Sequence, residues 1–215
     1  MNALIIVDVQ KDFCLGRTLA VKDADNIVPV INRLTTSFKF DLVVAVQDWH
    51  HPAHGSFASV SKQEVGTEGE LNGIKQIWWP DHCVCGSEGA GFHDNLLTGR
   101  FNLILRKGYD KSVDSYSAFS DRAGKTTGLA EYLIAQKVED IYIVGLATDY
   151  CVRFTAEDGV KLGFNVIVVP DACRAVNIKP NDGKETIKHL HSIGVKLLDS
   201  STIISSEGVN GNTKG

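Results

Sequence analysis

The sequence lacks a disulfide framework, a surplus of positive charge, a long hydrophobic run and any internal repeat, and each absence narrows what the chain can do. Its five cysteines are an odd number at irregular spacing, so a bridge-stapled secreted scaffold is not expected and the thiols should be reduced. Lys and Arg number 22 against 26 Asp and Glu, a formal net charge of −4, which gives no electrostatic footing for nucleic acid. The opening apolar run, Ala3 to Val7, has no basic segment ahead of it, is far too short to span a bilayer and ends at Asp8. The remaining expectation is a cytoplasmic protein that handles a small molecule, with neither membrane nor nucleic acid as partner. A homo-oligomer stays open, because apolar surface and interface positions look alike in a sequence.

What the chain has is alternation. Short β-branched runs, Leu4 to Val7, Leu42 to Val46, Leu103 to Leu105, Ile141 to Val144, Val166 to Val169 and Val195 to Leu198, read as strands buried on both faces. Between them lie segments of helical spacing: Ile27 to Leu34, Leu129 to Ala135, Val152 to Leu162 and Gly183 to His191. The pattern predicts an α/β fold of three αβα layers, with a doubly wound, mostly parallel sheet. The 215 residues suit one domain over 1–204, and the polar, Gly- and Asn-rich segment 205–215 is expected to be a flexible tail. From Asp48 to about Leu71 the chain reads as a long irregular insertion, and loops of that length in compact domains are usually functional.

Three reactive residues fall at the carboxyl ends of different strands, where open α/β sheets collect function. Asp8 follows the first strand, Lys107 ends the third, and Cys151 comes after the strand ending at Val144, at the start of a predicted helix. A helix N-terminus stabilises a thiolate and an adjacent oxyanion. Cys151 is therefore the candidate nucleophile, Asp8 the proton carrier, and Lys107 the cation that holds both anions. Backbone N–H groups near Ala147 and Cys151 are candidate oxyanion donors. Singly, each residue has a bland reading as packing, a cap or a solvated charge; their shared placement favours a site. Cys14, Cys83, Cys85 and Cys173 have no base supplied by spacing and read as structural.

Beyond the second strand runs Gln47-Asp48-Trp49-His50-His51-Pro52-Ala53-His54. Asp48 and His50 point to one side of an extended segment, His54 can fold back at the turn forced by Pro52, and His82 can join from the next loop. One carboxylate and three imidazoles suit a divalent ion, with zinc first and iron or manganese as alternatives. His51 competes with His50 for the role.

At these residues the chain resembles the nicotinamidase family, within the isochorismatase-like cysteine hydrolase superfamily, from about Ala3 to Leu198. The motifs are Val7-Asp8-Val9-Gln10-Lys11-Asp12-Phe13-Cys14, Gln47-Asp48-Trp49-His50 with His54-Gly55-Ser56-Phe57, Trp79-Pro80-Asp81-His82-Cys83, Lys107-Gly108 and Gly145-Leu146-Ala147-Thr148-Asp149-Tyr150-Cys151. The resemblance implies the isochorismatase-like hydrolase fold, the triad Asp8, Lys107 and Cys151, and a metal held by Asp48, His50, His54 and His82. It also implies a cis peptide between Leu146 and Ala147, and a ring pocket of Phe13, Trp79 and Tyr116. One departure is Arg17, which stands where family members commonly carry a second glycine.

The implied reaction is hydrolysis of nicotinamide to nicotinate and ammonia through a Cys thioester, a salvage step toward NAD, with pyrazinamide as a second substrate. Two alternatives share the fold class: another isochorismatase-like amidase, and a metallohydrolase whose nucleophile is zinc-bound hydroxide rather than Cys151. A catalytically idle binder of pyridine amides is a third, because fold does not fix function.

Overall fold

The computed structural model describes the backbone of residues 1–210 and the side chains of residues 1–206. In chain order the strands are β1 (Asn2–Val7), β2 (Leu42–Asp48), β3 (Glu68–Leu71), β4 (Ile74–Ile77), β5 (Leu103–Lys107), β6 (Asp140–Leu146), β7 (Asn165–Arg174) and β8 (Lys196–Leu197). The helices are α1 (Val28–Ser37), α2 (Ala58–Ser61), α3 (Leu129–Ala135), α4 (Arg153–Lys161), α5 (Asp182–Ser192) and α6 (Ser200–Asn210).

Six strands form one parallel sheet in the order β5-β2-β1-β6-β7-β8. Residues 3–7 of β1 are wholly buried, yet they serve two cores by the period of the strand. Ala3, Ile5 and Val7 pack with Leu129 and Leu133 of α3, Ala156 of α4 and Leu190 of α5. Leu4 and Ile6 pack with Ile31 and Leu34 of α1 and Ile203 of α6. This is the expected three-layer, doubly wound arrangement. Each fully buried Ile or Leu contributes about 1.5–3 kcal/mol of burial. The sheet therefore supplies a rigid base for its loops.

The chain winds outward from β1 through β2 to β5, then returns to β6 and winds the other way. The reversal lies between β1 and β6, and the crevice beyond their carboxyl ends is where such sheets bind ligands. At that point β1 and β6 approach closely. A Cβ on Gly145 (φ +116°) would collide with the Val7 backbone, so only glycine fits.

Two segments differ from expectation. The region read as an irregular insertion contains α2 and the first strand of an antiparallel hairpin, β3–β4. Its turn is Asn72-Gly73, with φ of +51° and +78°, the sequence pair that a tight two-residue hairpin turn demands. At the other end, α6 extends through Asn210 and so takes up the first part of the segment expected to be a flexible tail. Residues 211–215 of that expectation lie outside the described residues.

Candidate active site

The last residue of β2 is fixed from the side. Gln10 replaces a neighbouring strand: its Oε1 accepts the N–H of Asp48 and its Nε2 donates to the Asp48 carbonyl, each at 2.8 Å. Asp8 leaves β1 in the left-handed region (φ +49°) and donates its N–H to Val46 O. Such a conformation at a non-glycine residue is uncommon and clusters at functional positions.

Lys107 is 1 % exposed and spends its three donors internally. Its Nζ lies 2.5 Å from Asp48 Oδ1, 3.0 Å from Asp8 Oδ2 and 3.0 Å from the Ser115 carbonyl, with Cys151 Sγ at 3.5 Å. The expected triad is thus gathered around one ammonium. Burial opposes its charge, but Asp48 and Asp8 prevail and hold Lys107 protonated well above its ordinary value. Burial, and Asp48 after it, push the Asp8 carboxyl up to about 6 against the pull of Lys107.

Cys151 lies in the turn between β6 and the following helix, where the sequence places it; that turn, Thr148–Val152, is a wide helical one that leads into α4. The turn is wide because Val152 N–H reaches back to Ala147 O. Burial also pushes the thiol well above its ordinary value, and Lys107 only partly offsets this. Burial therefore works against the expected thiolate, and Asp8 stands beside the thiol as a proton acceptor. The Leu146–Ala147 peptide is cis, as the resemblance implied.

The histidines are placed by backbone bridges. His50 N–H donates to Cys83 O at 2.9 Å and Cys85 N–H to His50 O at 2.8 Å, which ties the loop of His82 to the end of β2. Asp12, buried beneath, accepts the N–H of Cys83 at 2.7 Å. His50 Nδ1 bonds Gly108 O and His82 Nδ1 bonds Pro80 O, each at 2.8 Å. Both rings therefore turn Nε2 inward, 3.6 and 3.9 Å from Asp48 Oδ2. This is how ligating imidazoles are oriented by their other nitrogen.

Burial, then His50, pushes His82 down to about 4 and also lowers His54, so both rings are held neutral, the ligating form. Burial likewise works against the charge on His50, but Asp48 outweighs it and raises that ring. His51, the competitor, is exposed and bonds only within its own turn. His54 is adjacent, its ring 4.5 Å from that of His50, but it groups with His50 and Asp114 rather than with Asp48 and His82. Its Nε2 is buried with no hydrogen-bond partner. An orphaned imidazole nitrogen beside two further imidazoles and a carboxylate fits a divalent metal ion.

Phe13, Trp79 and Tyr116 line one pocket together with Cys151, Asp48, His50 and His82. Tyr116 accepts the indole N–H of Trp79 at 3.0 Å, which fixes that wall. Ala147, a candidate oxyanion donor, lines it too, and Leu19, Asp114, Tyr150 and Val176, which were not singled out from the sequence, complete it. Tyr150 stands in the Cys151 motif and Asp114 two residues before Tyr116, so both were within reach. Leu19 and Val176 arrive on loops with no local signal. Arg17, the departure, makes a surface pair with Glu88 at 2.8 Å. All five cysteines are free, with Cys14, Cys83 and Cys173 buried.

The Isochorismatase domain family matches residues 2–202. The chain belongs to the isochorismatase family. It is 43% identical over 199 residues to the nicotinamidase of Escherichia coli K12, covering 91% of this chain and 93% of that protein. A nicotinamidase/pyrazinamidase structure from Acinetobacter baumanii superposes with a TM-score of 0.90 at 39% identity, covering 94% of this chain and 97% of that one. A Pyrococcus horikoshii pyrazinamidase in complex with zinc superposes with a TM-score of 0.76 at 34% identity, covering 92% and 98%. Among the described residues no helix is long and apolar enough to cross a membrane.

Proposed function

We propose that the chain is an amidohydrolase that converts nicotinamide to nicotinate and ammonia through a thioester on Cys151, in cytoplasmic NAD salvage, and that it accepts pyrazinamide. The observation that carries this reading is the Lys107 ammonium in contact with Asp8 and with Cys151, the latter lining an aromatic pocket. The names of its family relatives support the choice of a pyridine amide.

Asp48, His50 and His82, with His54 beside them, would hold one divalent ion, zinc first and iron or manganese as alternatives. When bound, it supplies a Lewis-acidic anchor for a ring nitrogen. Phe13, Trp79 and Tyr116 sandwich the ring and exclude water. Asp8 takes the thiol proton as Sγ attacks the carboxamide carbon, and Lys107 balances the negative charge that moves between them. The N–H groups of Ala147 and Cys151 donate hydrogen bonds to the developing oxyanion. Asp8 returns its proton to the departing nitrogen, which leaves as ammonia. Asp8 then deprotonates a water whose oxygen attacks the thioester carbon; the C–S bond breaks to release nicotinate, and Asp8 hands the proton to the departing Cys151 sulfur.

The test is ammonia and nicotinate release from nicotinamide by purified protein of confirmed metal content. Equimolar release of both is expected. Intact nicotinamide after prolonged incubation would overturn the assignment.

A further inference from the structure

The mechanism leaves the buried carboxylate of Asp114 without a role. Asp114, on the loop after β5, is 3 % exposed and lines the catalytic pocket. Its Oδ1 accepts the N–H of Ser115 at 2.8 Å and its Oδ2 accepts Nε2 of Gln76 at 2.7 Å. Both donors are neutral, so they satisfy the oxygens without cancelling the charge. A carboxylate buried with no cation is costly, and such groups persist where something else compensates them.

The compensation is visible in the arrangement. One nitrogen of His50, one of His54 and an Asp114 oxygen lie within 4.8 Å of one another. His50 also belongs to the group formed with Asp48 and His82, so two triads share one imidazole. Asp8, Asp48 and Asp114 are buried in this region with Asp12 beneath them, and Lys107 pairs with the first two. The carboxylates outnumber that lysine, an excess of negative charge that a bound divalent cation would offset.

We propose that Asp114 is a second carboxylate of the metal site, a positioning residue that faces His50 and His54 and balances the charge of the cation they would hold. The inference rests on the metal-dependent reading above. Gln76, on β4, sets the carboxylate's angle, and its Nε2 is also 3.5 Å from the Tyr116 hydroxyl. The hairpin is thereby linked to both the metal side and the ring side of the pocket.

The experiment measures zinc affinity by chelator competition without substrate, in the wild-type protein and in Asp114→Asn and Gln76→Leu, with folding checked by circular dichroism. Asp114→Asn is expected to bind zinc about 10- to 100-fold more weakly, the range for residues that support ligands. Gln76→Leu, which keeps the charge, is expected to lose less. Turnover of Asp114→Asn should recover toward the wild-type kcat as zinc is raised. Wild-type affinity in a folded Asp114→Asn, or lost turnover that saturating zinc does not restore, overturns the inference alone. A wild-type protein that binds no divalent ion overturns the metal reading itself. Should Asp114→Asn not fold, equal zinc affinity in Gln76→Leu and wild type overturns the inference that the carboxylate held by Gln76 supports the metal.

Discussion

Gly108→Ala strikes the metal site through a residue that is neither a ligand nor in contact with substrate. Gly108 has φ of +72°, and a Cβ there would stand 2.5 Å from Cε1 and 2.8 Å from Nδ1 of His50. Ordinary van der Waals contact begins at 3.4 Å, so the ring would have to retreat by about 0.9 Å, against a tolerance of about 0.2 Å for metal–ligand distances. Retreat is blocked. His54, His82 and Phe57 surround the ring at centroid distances of 4.5, 4.9 and 5.6 Å, and the Gly108 carbonyl that orients Nδ1 moves with the substituted backbone. The left-handed conformation adds about 1–2 kcal/mol for any Cβ. Urea unfolding should register at least that loss. Chelator competition should show zinc affinity down by at least the 10- to 100-fold expected when an imidazole's orienting partner is disturbed. A Gly108→Ala protein with wild-type zinc affinity would refute the claim that His50 is locked in place.

Three further outcomes follow from the same geometry. Because Asp8 must be ionised to accept the thiol proton and its carboxyl is pushed up to about 6, kcat/KM should rise with pH through about 6 in weakly loaded protein. Full metal loading should shift that limb to lower pH, since a nearby dication favours the carboxylate; a shift to higher pH contradicts the assignment. Lys107→Met leaves Asp8 and Asp48 facing each other in the interior, so urea unfolding of the metal-free protein should show a loss of about 3–5 kcal/mol, and an unchanged midpoint would contradict it. Arg17→Gly restores the residue common in the family at the cost of one surface pair, and ammonia release should be unchanged; a marked fall would mean that the loop shapes the Phe13 wall.

The parts of the site legible in the sequence were those fixed by strand ends. Asp8, Asp48, Lys107 and Cys151 each close or follow an apolar run, and a parallel sheet brings such positions to one rim. Local spacing also separated Asp48 and His50 from the rest, though only burial distinguishes His50 from His51. The hairpin carried its signal in Asn72-Gly73 but was masked by the polarity of its strands, which face solvent on alternate residues. Desolvation was not legible: the helix start suggested a thiolate at Cys151, whereas burial pushes the thiol up and Asp8 lies beside it. Nor was the role of Asp114, whose meaning depends on three other buried carboxylate and imidazole groups brought together by tertiary structure.

The central claim is that Cys151 forms the covalent bond. Zinc-loaded protein mixed with nicotinamide and quenched in acid during turnover should carry a nicotinoyl group on Cys151 by mass spectrometry, while Cys151→Ala carries none, releases no ammonia and retains its metal. Ammonia release by Cys151→Ala at a rate near that of the native chain would contradict the account and move the nucleophile to the metal.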